Sequence, residues 1–571
     1  MRWLVALLLL LLFAAPALAQ PAPEAATGRA EKAEATAQRQ MVAAAHPLAA
    51  EAGLAMLRQG GSAIDAAVAV QMMLNLVEPQ SSGIGGGALI LYWDNTNKQL
   101  HAFDGRETAP AAATPRRFLK PDGTPLPFRE AVFSGLSTGV PGAVAALELA
   151  HKAHGKLPWA TLFQPAITRA EAGFKVTPRL AGLLKLEQRL WQDAAAAALY
   201  YPGGEPLQVG ASLRNPALAE SLRRVATDGA RALQSGPLAQ AMLTALQARG
   251  SDMTAADLAG YEAKRRPELC GTFRLYKICG FGPPSSGGIA VLQILSILEA
   301  LDPSPSTRLE TADLHRLAEA SRLAFADRNL YVADSDFLPV PVAGLIDKAY
   351  LAERARLVRP DASLGSAQPG EPPGRRGALP GNAPHDGPPG TSHVSIVDAW
   401  GNALSMTTTI EDVFGARLMV GGFLLNNQLT DFSFLPEQDG RAVANRVEAG
   451  KRPRSSMSPT LVFAPTGDLL GVAGSPGGSQ IIGYVAQTLL LLLDKGYGPQ
   501  AAVALPHIGS RNGPTEIEAG ADPAWAEALG RLGHKTQTLE MTSGLHVIWR
   551  RAGGLLAGGA DPRREGVALG D

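Results

Sequence analysis

Residues 388–398 read PPGTSHVSIVD, and the character of the chain changes at Thr391. Before it lies RPDASLGSAQPGEPPGRRGALPGNAPHDGPPG (359–390), a Pro/Gly-rich stretch with almost no large apolar side chains. Such a segment cannot bury enough surface to fold on its own, and a flexible end is expected there. After it, VSIV and ALSM flank Asp398-Ala399-Trp400-Gly401-Asn402, the pattern of a hairpin with a short glycine-containing loop. A hairpin centred near Trp400 pairs residues whose numbers sum to about 800, so Thr391 faces Thr409. Threonine is a nucleophile only when a base takes its proton, and a free α-amine on the same residue is one such base. That chemistry requires a cut between Gly390 and Thr391. On spacing alone, an ordinary linker entering an ordinary strand accounts for the same residues better.

Three glycine-rich motifs could carry other chemistry. Gly83 to Ala88 fits G-x-G-x-x-A, but a helical pattern precedes it and a strand follows. A dinucleotide site needs the reverse order, so that reading is rejected. GLSTG (135–139) fits G-x-S-x-G, with AVF as a short strand before Ser137 and Pro141 opening a helix after it. With 62 glycines in 571 residues the match arises easily by chance, and a structural turn is the better reading. GSPGGSQII (474–482) is a glycine loop opening a helix, where unpaired N–H groups and the helix dipole suit a developing oxyanion. A tight packing turn explains it equally well.

The elements that must position these residues alternate in type. SAIDAAVAV opens with Ser62 and Asp65 as a capping box and reads as a buried helix. SSGIGGGALILYW is a glycine loop entering a strand, helical patterns dominate from about 141 to 260, and GPPSSGGIAVLQILSILEAL is a loop opening an apolar helix. Strands follow Thr391, then TLVFAP, DLLGVAG and a long helix from about 479. Stacked α and β layers follow from that order.

The bulk composition excludes several classes. Lys+Arg and Asp+Glu both number 52, which gives no support for a nucleic-acid or anionic-membrane partner. No Cys/His spacing or H-E-x-x-H is present, so neither a metal nor a cofactor is expected. Residues 1–19 combine one arginine, an apolar run and Ala17-Leu18-Ala19, the pattern of a secretory signal with cleavage before Gln20. The run is short for a span and Pro16 interrupts it, so no membrane span is expected in the mature chain. An exported, periplasmic or secreted, protein follows. Cys270 and Cys279 are the two cysteines; a disulfide and two buried thiols both stay open.

Several segments, in order, resemble the γ-glutamyltranspeptidases, also called glutathione hydrolases: GGSAIDAAVAV, FDGRETAP, GPPSSGGIAVLQIL, TSHVSIVDAWGNALSMTTT, LLNNQLTDFS, KRPRSSMSPT and GSPGGSQII. The resemblance runs from about Met41 to Asp494. It implies an α/β N-terminal nucleophile hydrolase fold, a four-layer αββα sandwich. It implies a precursor that cuts itself at Gly390/Thr391 into a large subunit (20–390) and a small catalytic subunit (391–571), which remain together as a heterodimer. Thr391 would be nucleophile and base, Thr409 its hydrogen-bond partner, and the N–H groups of Gly477 and Gly478 the oxyanion hole. Arg106, Ser455 and Ser456 would hold the α-carboxylate of a γ-glutamyl substrate such as glutathione, and Gln428 and Asp431 its α-ammonium. Glu411 stands where many members have asparagine; a carboxylate there still suits a cation. Residues 434–453 would form a lid.

The reading that follows is an exported self-processing γ-glutamyl transferase and hydrolase. The alternatives are a glutaryl or cephalosporin acylase of the same fold, a non-enzymatic exported binding protein using the same pocket uncut, and an esterase built on Ser137.

Overall fold

The computed structural model describes residues 29–302, 306–382 and 390–571. The expected signal segment, 1–19, and the last residues of the Pro/Gly-rich stretch before Gly390 lie outside them.

Two seven-stranded sheets form the centre. In spatial order the first contains Val567–Gly570, Met41–Ala44, Gly390–Val397, Ala403–Glu411, Gly87–Asp94, Gln99–Gly105 and Lys264–Arg266. The second contains Ala35–Ala37, Leu556–Ala560, His546–Arg550, Leu469–Gly474, Thr460–Phe463, Tyr276–Gly280 and Leu269–Phe273. Every pairing within the two sheets is antiparallel.

The period-two alternation of strand side chains sorts the first sheet's residues into two cores. Ala88, Ile90 and Tyr92 join helices Pro47–Arg58 and Ala63–Val77 on the outer side. Leu89, Leu91 and Trp93 join a core continuous with the second sheet and helices Gly287–Leu301, Thr311–Tyr331 and Ile481–Leu493. The order is helix, sheet, sheet, helix. Hydroxyls stitch the two sheets together: Ser395 donates to the His546 carbonyl and Ser405 to the Ala473 carbonyl, each at 3.0 Å.

The expected capping box is present, Ser62 accepting from the Asp65 N–H and Asp65 from the Ser62 N–H, and every residue of Ala63–Val77 is buried. AVF before Ser137 is not a strand but part of helix Phe128–Phe133. Cys270 and Cys279 are directly opposite on a hairpin and form a disulfide.

The flexible end expected over 359–390 is, through residue 382, an irregular strap laid against the body. It has no helix or strand, but the preceding helices satisfy its backbone. His315 Nε2 meets the Arg359 carbonyl at 2.7 Å, Glu319 accepts from the Leu364 N–H at 2.9 Å, and Tyr331 donates to the Gly370 carbonyl at 2.6 Å. A segment that cannot build its own core is thus ordered by another element's polar groups.

Candidate active site

The hairpin arithmetic holds in the structure: Thr391 pairs with Thr409, with a register shift at the Gly390/Thr391 step. Both are almost fully buried. The Thr391 hydroxyl donates to Thr409 Oγ1 at 3.1 Å, and Thr409 donates to the carbonyl oxygen of Gly390 at 2.5 Å. The Glu411 N–H donates to the same Thr409 oxygen at 2.8 Å. A hydroxyl relay therefore connects Thr391 to the carbonyl of the peptide bond that precedes it. Arg564 anchors the strand by donating to the Thr391 carbonyl at 3.0 Å.

The glycine loop before Gly87–Asp94 closes against this point. A Cβ on Gly86 would lie 2.0 Å from the Thr409 carbonyl oxygen, so no other residue fits without moving the strand end. This loop is a close-approach device.

A cavity of about 40 Å³ opens beside Thr391 and Thr409. It is also lined by Arg106, Glu411, Gln428, Asp431, Ser455, Ser456 and Gly478. Arg106 follows the end of strand Gln99–Gly105, and its guanidinium is fixed by the carbonyls of Pro453 (3.1 Å) and Arg454 (3.0 Å) and by an ion pair with Asp431. Asp431 and Gln428 share the turn Gln428–Asp431, where Gln428 Nε2 donates to Asp431 at 2.7 Å. Ser455 accepts from the Met457 N–H at 3.0 Å, and Ser456 from Arg328 at 2.7 Å. Gly477 sits one residue outside the lining, at φ 134°, where a Cβ would strike the Tyr484 ring.

Glu411 is buried at φ 80° and receives the Asn427 amide. Burial, then the negative charges of Asp431 and Asp412, push its carboxyl well above the ordinary range. Glu107, next to Arg106, is driven up to about 8 by burial, against the pull of the Arg106 cation. Both its oxygens are buried without a hydrogen-bond partner among the described residues.

Ser137 lies apart from this cavity. It is fully buried in a 3-10 turn, its hydroxyl directed at the carbonyls of Val132 (2.8 Å) and Ser134 (3.0 Å). The segment expected as a lid carries the small hairpin Glu437–Gln438/Arg441–Ala442, paired at Gly381 with the strap, and Asn445 ties it to the Asp431 carbonyl at 2.7 Å.

Sequence reasoning missed Arg328, Arg454 and Asn427. Arg328 and Arg454 line the cavity, while Asn427 orients Glu411 and accepts from the Asp412 N–H at 3.0 Å. The doubled asparagine beside Gln428 was a usable signal; Arg328 had none, since it belongs to no motif that the sequence singles out.

The αββα sandwich, with Gly390–Val397 as a central strand, places the protein among the N-terminal nucleophile hydrolases. The Gamma-glutamyltranspeptidase family model matches residues 49–571. The glutathione hydrolase proenzyme of Bacillus subtilis (strain 168) is 39% identical over 475 residues, covering 82% of this chain and 80% of that protein. That of Escherichia coli (strain K12) is 36% identical over 522 residues, covering 89% and 88%. The crystal structure of cephalosporin acylase from Bacillus halodurans superposes with a TM-score of 0.83 at 28% identity, covering 96% of this chain and 99% of that one. The chain belongs to the γ-glutamyltranspeptidase family. It is a self-processing γ-glutamyl transferase and hydrolase.

Proposed function

We propose that Thr391, freed at the Gly390/Thr391 bond, is the nucleophile, and that glutathione and related γ-glutamyl compounds are the donors. The observation that carries this reading is the relay from the Thr391 hydroxyl through Thr409 to the Gly390 carbonyl, beside a cavity lined by both cationic and anionic groups.

In the uncut chain Thr391 Oγ1 attacks the Gly390 carbonyl carbon while Thr409 polarises its oxygen. The C–N bond breaks, Gly390 becomes an ester on Thr391, and the departing nitrogen takes the hydroxyl's proton. Water hydrolyses the ester, leaving the Gly390 carboxylate, the Thr391 hydroxyl and a free α-amine. That amine then serves as base. Thr391 Oγ1 attacks the donor's γ-carbonyl, and the N–H groups of Gly477 and Gly478 receive the oxyanion. The leaving amine takes the proton, and water or an acceptor's amino group resolves the γ-glutamyl ester.

Donor recognition exchanges one ion pair for two. Arg106 and Asp431 hold each other in this structure. A γ-glutamyl group inserts its α-carboxylate at Arg106, Ser455 and Ser456 and its α-ammonium at Asp431, Gln428 and Glu411. A glutaryl donor has no ammonium and would leave two carboxylic groups facing carbon. The likeness to a cephalosporin acylase makes glutaryl donors the second reading. The signal pattern of 1–19 and the Cys270–Cys279 disulfide support export to an oxidising compartment, and no helix among the described residues is long and apolar enough to cross a membrane.

The test is the intact mass of the purified protein. Wild type gives two chains, the smaller beginning at Thr391, and Thr391→Ala gives one inactive chain. A single uncut but active wild-type chain overturns the reading. On the cut enzyme, kcat/KM for a γ-glutamyl anilide exceeds that for the matching glutaryl anilide; the reverse order selects the acylase.

A further inference from the structure

Strand Gly87–Asp94 touches the candidate active site at one end only. At its other end Asp94, His101 of the neighbouring strand and His154 of helix Ala143–His154 converge, with one donor atom of each within 4.8 Å of the others. The His101 and His154 ring centres are 4.5 Å apart, and Tyr92 packs on His154 at 4.6 Å. The Nε2 atoms of both histidines are buried and have no hydrogen-bond partner among the described residues. Unpaired buried nitrogens are costly, and two of them on histidines clustered with one carboxylate point to a missing partner.

The carboxylate is already aimed. Asp94 Oδ1 accepts from the N–H groups of Thr96 (3.0 Å) and Asn97 (3.1 Å), and Oδ2 from Asn97 Nδ2 (2.8 Å). Such outer contacts orient a ligating group.

We propose that Asp94, His101 and His154 form a binding site for one divalent transition-metal ion of the zinc type, with water completing the coordination. Two imidazoles and one carboxylate favour zinc, nickel or copper over magnesium or calcium. All three side chains are half-buried, which leaves a path from solvent. The other histidine cluster, His315, Glu319 and His534, differs in the decisive respect. His315 Nδ1 meets His534 Nε2, His315 Nε2 meets the Arg359 carbonyl, and His534 Nδ1 meets Thr515, each at 2.7 Å. That cluster is a closed hydrogen-bond network.

The metal would have a mechanical role. The N–H groups of Gly142 and Ala143, where the helix begins, donate to the Gly86 carbonyl at 2.9 Å, beside Thr409. His154 ends the same helix. An ion there fastens the strand to one helix at both ends.

The experiment uses the processed full-length protein, without a histidine tag and after chelator treatment, titrated with zinc chloride by calorimetry and with cobalt chloride by visible absorption. The expected result is one ion per chain, a raised melting temperature, and cobalt bands of nitrogen/oxygen ligation. His154→Gln and Asp94→Asn weaken binding at least about tenfold and leave γ-glutamyl hydrolysis unchanged. Should His154→Gln fail to fold, the near-isosteric Asp94→Asn carries the test. Variants that bind like wild type, or a wild type unsaturated at about 1 mM zinc, overturn the proposal.

Discussion

Thr409 is the residue on which maturation and turnover converge, because its single hydroxyl touches both the attacking oxygen and the carbonyl to be attacked. Glu411 has the less familiar role. Burial and the neighbouring carboxylates of Asp431 and Asp412 favour the protonated form of its carboxyl. Arrival of an α-ammonium opposes that preference, so donor binding expels a proton and donor affinity rises with pH until Glu411 is already ionised in the unbound protein. Calorimetry in two buffers of different ionisation enthalpy will show the release. Glu411→Gln abolishes it and raises the donor KM about tenfold, the loss of one charge-assisted contact. Release unchanged in the variant would assign the proton to another group.

At the scale of elements, the glycine loop and the hairpin act as one unit. Gly86→Ala must displace the Thr409 carbonyl, which separates Thr409 from Gly390 and stalls the self-cleavage; intact mass at successive times after synthesis measures the delay. Complete processing at the wild-type rate would mean the loop yields without cost. The hairpin register was legible because a short turn and strict alternation leave one pairing that buries the right face. The burial of helix Thr311–Tyr331 was not. Its Asp327, Arg322 and Arg328 look like a solvated face, yet all three are buried and spend their charges on other chain segments. The metal-ligating candidates were equally hidden, because two strands and a helix bring together residues whose spacing matches no linear motif. The glycine loop at 474–482 stayed ambiguous because close packing and anion binding demand the same residue type.

For the whole molecule, the two sheets mix strands from both sides of the Gly390/Thr391 bond. Met41–Ala44 lies between Val567–Gly570 and Gly390–Val397, and Ala35–Ala37 pairs with Leu556–Ala560. Cutting that bond leaves these ladders intact. Stability depends on buried acids as well. Glu107 keeps its proton to about 8 when folded but releases it near 4.5 when unfolded. The folded state thus binds more protons between those values, and this group's contribution falls as pH rises through that window. Glu107→Gln removes the slope, so its melting temperature gains on wild type steadily from pH 5 to 8; a constant offset would refute the assignment. One further consequence follows from Asp571, whose carbonyl accepts the N–H groups of both Gln38 and Arg39 at 2.8 Å. Asp571 therefore lies beside Gln38 and Arg39, and a short linker from 571 to about 35 would join the two segments. A circular permutant opening at Thr391 and ending near 382 would carry the terminal amine once its initiator methionine is removed, without cleavage at Gly390, separating catalysis from self-cleavage in a single gene product.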